Sequence, residues 1–359
     1  MQSLGPYSPN SYVVGDCLEL LRDLPDESIN CVVTSPPYWG LRSYLSDGHE
    51  SKHLELGSER TYQEYVANMV DVFRDVRRVL CADGTLWLNL GDCYATGAGA
   101  VGECPGGGVQ GDRWTGNRGD RPGSPKHSGG AMGPTTQPNR LPQPGLKPKD
   151  LVGIPWRVAF ALQDDGWYLR SEIIWHKPNP MPESVTDRPT KSHEQLFLLT
   201  KSDRYFYDQD AIREPHAEDS IARVGRGRSD DHKWADGGPG NQTLAKDISK
   251  ARHPQGRNRR TVWTIPTEPT PDAHFATYPR KLVEPCILAG CPAGGIVLDP
   301  FGGSGTTGRV SEDLGRQWLL FDLSPEYAKI AKRKTAQTGL LGRCEKVLES
   351  PLAPTEGSP

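Results

Sequence analysis

Three short stretches hold residues whose types and spacing could do chemistry. The first is Thr34-Ser35-Pro36-Pro37-Tyr38-Trp39. Its prolines stiffen the backbone and remove two N–H donors, which leaves carbonyl acceptors exposed. A serine oxygen beside a proline carbonyl can accept both hydrogens of an amino group. Tyr38 and Trp39 offer flat faces against which a planar base could stack. A plain proline-rich strand exit with its aromatics packed inward would use the same residues. The second stretch is Asp299-Pro300-Phe301-Gly302-Gly303-Ser304-Gly305-Thr306-Thr307-Gly308. Its glycines let backbone approach a bound cofactor, and the following helix N-terminus welcomes a carboxylate or phosphate. Glycines 303, 305 and 308 satisfy G-x-G-x-x-G, and Asp322 ends the next strand, where an acid could hold two ribose hydroxyls. A nicotinamide dehydrogenase therefore stays open here, as does a tight structural turn. A P-loop does not, because no Gly-Lys-Ser/Thr follows. The third stretch is Gly15-Asp16. Its acid could accept a hydrogen bond from an adenine amino group or simply cap a helix over 17–24.

The surrounding pattern says what positions these groups. Apolar runs predict buried strands at 11–16, 30–35, 85–92, 168–176, 194–200, 295–301 and 318–324. Helices are predicted at 17–24, 61–80, 151–164 and 279–290 and from Pro325 onward. The clearest is 61–80. Tyr65, Met69, Val72, Phe73, Val76, Val79 and Leu80 fall on one face, and Thr61 with Glu64 forms a capping box. Asp83-Gly84 reads as a turn. Strands alternating with helices predict an α/β fold, with a mostly parallel sheet covered on both faces. All three chemical stretches sit at strand ends, where open α/β sheets bind ligands.

Composition narrows the function classes. Across 359 residues there are 40 Gly and 32 Pro, with 35% hydrophobic residues, so long loops should interrupt the core. The irregular segments are 97–149, rich in Gly and Pro, and 203–262, which carries the basic run KARHPQGRNRR at 250–260. A net charge of −3 means that any nucleic-acid contact must come from local basic patches. The eight cysteines include no C-x-x-C pair, which argues against a zinc or redox motif and for free thiols in a reducing cytoplasm. No metal is expected. No run reaches the length of a membrane span, and no signal peptide is apparent.

The three stretches, in this order, resemble the β-group amino-methyltransferases of DNA, the N4-cytosine and N6-adenine methylases of bacteria and phages. The likeness covers most of 10–335. It is carried by GDCLELLRDLPDESINCVVTSPPYWGLR (15–42), EIIWHKPNPMPES (172–184) and FATYPRKLVEPCILAGCPAGGIVLDPFGGSGTTG (275–308). It implies a Rossmann-like, S-adenosylmethionine-dependent fold, a mixed seven-stranded sheet in circularly permuted order. Asp16 from one end of the sequence should then meet Asp322 from the other on one ligand. The likeness makes Ser35, Pro36, Pro37 and Tyr38 the catalytic motif. It assigns Asp16, Cys17, Phe275, Asp299, Pro300, Phe301, Gly303, Gly305, Thr306 and Asp322 to the cofactor, with Lys281 near it. Trp39, Arg252, Arg257, Arg259 and Arg260 are the expected DNA contacts. The implied segments are a catalytic half (1–96), a flexible insertion (97–149), a continuation of the sheet (150–202), a target-recognition region (203–262), a cofactor half (263–343) and a frayed tail (344–359). Ser before Pro-Pro is commoner among cytosine-N4 members, so cytosine N4 is the expected target and adenine N6 the alternative. The expected partners are double-stranded DNA and a cognate restriction endonuclease, with the chain a monomer or dimer. A non-catalytic DNA-binding module is the reading outside enzymes.

Overall fold

The computed structural model describes residues 3–41, 45, 49–95, 143–216, 253–268, 278–336 and 347–349. Phe275, Arg252, most of 97–149 and most of 203–262 lie outside them. The described elements are β1 (Ser11–Val14), α1 (Cys17–Arg22), β2 (Ile29–Thr34), α2 (Tyr62–Val79), β3 (Leu80–Leu90), α3 (Ile154–Asp164), β4 (Tyr168–His176) and β5 (His193–Thr200). They continue with β6 (Val262–Thr264), α4 (Arg280–Gly290), β7 (Ile296–Asp299), α5 (Thr306–Asp313), β8 (Gln317–Asp322), α6 (Pro325–Ala336) and β9 (Val347–Glu349).

These strands form one sheet in the order β6-β4-β5-β3-β2-β7-β8-β1-β9. Only β5 runs antiparallel to its neighbours, β3 and β4. Nine strands replace the expected seven because β6 and β9 add short strands at the two edges. Each has three residues, too few for an alternation to show in sequence. β9 lies inside the segment expected to be a frayed tail. The permuted order is present. β1 lies parallel to β8, with Ser11 opposite Leu319 and Val14 opposite Asp322.

Helix α2 shows how sequence produces this packing. Thr61 Oγ1 accepts from Glu64 N at 3.2 Å and the Glu64 carboxylate accepts from Thr61 N at 3.1 Å, so the capping box is closed. Tyr65, Met69, Val72, Phe73, Val76 and Val79 are fully buried. At roughly 1.5–3 kcal/mol per buried side chain, this face fixes the helix far more firmly than propensity does. These residues share one core with α1, α3 and Leu86, Leu88, Leu298 and Phe321 of the sheet. On the opposite face, Tyr327, Ile330 and Ala331 of α6 pack on Tyr12, Trp318 and Leu320.

Two local expectations change. Asp83-Gly84 lies inside β3. There Ile29 pairs with Leu80 but Cys31 with Thr85, so a bulge absorbs the turn residues within the strand. The described residues take up again at Gln143, within the segment expected to be an insertion. Gln143 is buried, and its amide donates to Arg60 O at 3.1 Å. No helix among the described residues is long and apolar enough to cross a membrane.

Tyr207–Arg260 forms a compact unit separate from the rest of the chain. Its described part is held by Arg213, which donates to Asp210 at 2.7 Å and Asn258 at 2.9 Å. A bridge joins Glu214 to Arg257.

Candidate active site

The parallel strands β1, β2, β7 and β8 end along one edge of the sheet, and there a cleft opens. Asp16, Cys17, Ser35, Pro37, Pro300, Phe301, Gly303, Thr306 and Asp322 line it. The structure thus brings together residues spread from 16 to 322. Asp16 Oδ1 caps α1, accepting from Leu18 N at 3.0 Å and Glu19 N at 3.1 Å. The helix-cap role is therefore real, and it leaves Oδ2 for a ligand. Asp322 Oδ2 accepts from Gly303 N at 2.8 Å and Oδ1 from Ser324 N at 2.8 Å. Each oxygen keeps a second lone pair. Burial pushes the Asp322 carboxyl up to about 6, opposed by those two backbone donors. The Cys17 thiol is pushed up by burial and stays neutral.

The glycines of 302–308 have different tasks. Gly303 has φ +48°, and the only heavy atom near a Cβ there would be Phe301 O at 3.8 Å. Its open side faces the cleft. Gly305, at φ +80°, caps α5, and a Cβ there would meet the Ala331 Cβ at 2.8 Å. Packing on α6 requires that glycine, which is not among the residues lining the cleft.

Asp299 requires a correction. Its Oδ1 accepts from Thr34 Oγ1 at 2.6 Å and Phe301 N at 3.1 Å. Its Oδ2 accepts from Tyr278 OH at 2.8 Å and Thr307 Oγ1 at 2.6 Å. All four lone-pair positions are filled and the residue is 1% exposed, so no acceptor remains for a cofactor. Burial pushes its carboxyl up against the pull of these donors. Asp299 is a clasp joining the ends of β2 and β7 to α5. Trp39 is corrected as well. It is 1% exposed, its indole N–H donates to Glu59 O at 2.9 Å, and its ring meets Tyr62 edge-on, so it packs in the core. Lys281 is exposed on α4 and does not line the cleft.

Several cleft residues carry no sequence signal. Leu45, Leu54, Glu55 and Leu56 form one wall, braced by Lys52 Nζ on Glu55 at 2.6 Å. Tyr12 OH holds the loop by donating to Gly303 O at 2.9 Å. Ser304 lines the cleft, and its buried Oγ has no hydrogen-bond partner among the described residues. An orphaned hydroxyl at such a glycine loop fits a polar ligand that brings the missing partner.

Behind Ser35, a polar group gathers round the motif. Ser35 Oγ donates to Tyr38 OH or Asn89 Oδ1, each at 3.3 Å. Tyr38 OH lies 2.9 Å from Glu194 Oε2, and Lys177 pairs with the other Glu194 oxygen. The Pro37 carbonyl accepts from Tyr65 OH at 2.9 Å. The Pro36 carbonyl accepts nothing from the described residues. Gly91 floors the Tyr38 ring so closely that a Cβ would lie 2.4 Å from it.

Residues 29–333 match the family described as DNA methylase, the N6/N4 methyltransferases. The chain belongs to this family. The methylase is 45% identical to the type II methyltransferase M.SmaI of Serratia marcescens, over 90% of this chain and 89% of that one. It is 46% identical to M.Cfr9I of Citrobacter freundii, over 88% and 84%. Its fold resembles that of the PvuII DNA methyltransferase (cytosine-N4-specific), with TM-score 0.54, 20% identity and coverage of 90% and 85%. It also resembles a putative DNA modification methylase from Thermus thermophilus solved with S-adenosyl-L-methionine, with TM-score 0.51, 22% identity and coverage of 92% and 97%. The methylase is thus a DNA amino-methyltransferase dependent on S-adenosylmethionine, and the dehydrogenase and non-catalytic readings are set aside. The cleft fits that cofactor: Asp322 suits ribose hydroxyls, and Ser304 Oγ with the open side of Gly303 suits its methionine end.

Proposed function

We propose that the chain methylates the N4 amino nitrogen of cytosine in double-stranded DNA, within a site read by residues 203–262. The observation that carries this is Ser35 at the cleft wall, next in sequence to a Pro36 carbonyl that accepts nothing from the described residues. Two acceptors side by side match the two hydrogens of an exocyclic amine. When bound, the cofactor supplies a methyl group on a sulfonium. The chain's part is to make the amine nucleophilic, because its lone pair is delocalised into the ring. Hydrogen bonds to Ser35 Oγ and Pro36 O pull the nitrogen toward tetrahedral geometry and stabilise the positive charge growing on it. The base must leave the duplex to reach them, and the Tyr38 ring offers a face to stack on. Ser ahead of Pro-Pro favours cytosine over adenine within this family.

The separate compactness of Tyr207–Arg260 supports the recognition role. Arg257 and Arg260 both lie near Glu214, at 3.2 and 3.6 Å, so only part of their charge is available to DNA. The type II methyltransferase relatives support a restriction endonuclease as functional partner. The test is mass spectrometry of nucleosides from DNA treated with the enzyme and labelled S-adenosylmethionine. N4-methylcytosine is expected, and N6-methyladenine would overturn the assignment.

A further inference from the structure

The hydroxyls of Ser35 and Tyr38 carry one proton each. They face two groups that can only accept. Glu194 Oε2 lies 2.9 Å from Tyr38 OH. Asn89 Oδ1 lies 3.0 Å from Tyr38 OH and 3.3 Å from Ser35 Oγ. The Asn89 amide is oriented by its Nδ2, which donates to Gln195 O at 3.0 Å, so its oxygen must face the motif. Lys177, lying 4.3 Å from the Trp175 ring, forms an ion pair with Glu194. The charged acceptor takes the Tyr38 proton, because charge-assisted hydrogen bonds are the stronger ones. A phenol lone pair is then turned toward Ser35, whose own proton is drawn inward. The Ser35 oxygen is left presenting lone pairs to the cleft it lines.

We infer that Glu194, acting through Tyr38 and Ser35, fixes the direction of the hydrogen bonds at the target base, so that the pocket admits an amino group there and rejects a carbonyl oxygen. This rests on the proposed role of Ser35 as acceptor for the amine. Without a fixed polarity the serine hydroxyl could rotate and donate to the carbonyl of a uracil as readily as it accepts from a cytosine amine. With it, a carbonyl oxygen faces only lone pairs and is left unpaired. Glu194 is a positioning residue. Lys177 holds it from the end of β4, and Asn89 from β3 supports the same direction.

The test measures binding to duplexes carrying the enzyme's site, identical except for cytosine or uracil at the target. Each target is placed opposite an abasic site so that extrusion costs match. The native chain should prefer cytosine by roughly tenfold or more. In Glu194→Gln the amide can donate to Tyr38 and reverse the chain. The preference should fall toward unity, with single-turnover methylation lowered on the order of 10²-fold and S-adenosylmethionine affinity unchanged. Tyr38→Phe removes the hydroxyl without touching the Glu194–Lys177 pair and leaves Asn89 Oδ1 as the acceptor for the Ser35 proton, so the preference should fall in part. Either variant keeping the native cytosine-to-uracil ratio would overturn the inference, even if turnover falls. If the product proves to be N6-methyladenine, the pair becomes adenine and hypoxanthine. The cytosine assignment then fails on its own while the polarity inference is still decided by the ratio.

Discussion

The roles proposed for Ser35 and Asp322 divide the chemistry of the cleft, and each predicts a separable defect. Ser35→Ala removes one preorganised acceptor from a developing positive charge. Single-turnover rate should fall by about 10²–10³, with cofactor affinity nearly intact. Retention of the native rate in rapid-quench measurements would refute that role. Asp322 makes a pH prediction. Its carboxyl is raised to about 6 in the folded chain, above an ordinary carboxylate, because burial penalises its charge. Folding is therefore favoured when the group is protonated, and its contribution is lost as pH rises from about 4 through 6. The difference is on the order of 3 kcal/mol. Cofactor binding has the opposite sense, since ribose hydroxyls need an ionised acceptor. S-adenosylmethionine affinity should weaken below about pH 6. In Asp322→Asn, calorimetry should find affinity weaker and nearly flat in this window.

At the level of elements, the strand ends set the geometry, and β3 gives a direct test. The Tyr38 ring rests on Gly91, where an added Cβ would lie 2.4 and 2.6 Å from two ring carbons. Gly91→Ala should shift the ring and its hydroxyl, lowering turnover while leaving S-adenosylmethionine titrations unchanged. Altered cofactor affinity would show that Gly91 supports the other half of the cleft. The elements themselves are readable where periodicity is local, as in β4, placed at 168–176 by its apolar run and found there. Asp16, Ser35, Gly303 and Asp322 are readable because each ends a buried strand or follows one. Asp299 is misassigned from sequence because its four donors come from β2, α5, Tyr278 and its own loop, and only the folded chain brings them together. Asn89, Lys177 and Glu194 leave no trace for the same reason: the Tyr38 hydroxyl they serve lies 51, 139 and 156 residues away in sequence. Trp39 reads as a stacking face because sequence cannot say which way a side chain turns after two prolines.

For the whole molecule, the proposed reading puts catalysis and recognition on separable stretches of chain. The cleft sees one extruded base and cannot read that base's neighbours. That task needs side chains reaching groove edges, positioned by phosphate contacts. Replacing 207–260 with the matching stretch of a methylase of different specificity should move the methylated positions, read by sequencing a treated library. An active chimera with an unchanged target site would move recognition elsewhere, with 97–149 the first suspect.

The placement of β1 between β8 and β9 also sets a timetable for synthesis. Asp16 precedes Asp322 by some three hundred residues of chain. At about 5–20 residues per second, roughly 15–60 s pass before the two can share a ligand. Until then Tyr12 and Val13, both buried in the finished sheet, have no strand to pair with and stay exposed to chaperones. A ribosome that stalls before 317 therefore releases a product with half a cleft. Incomplete chains would lack the Asp322 end of the proposed donor site.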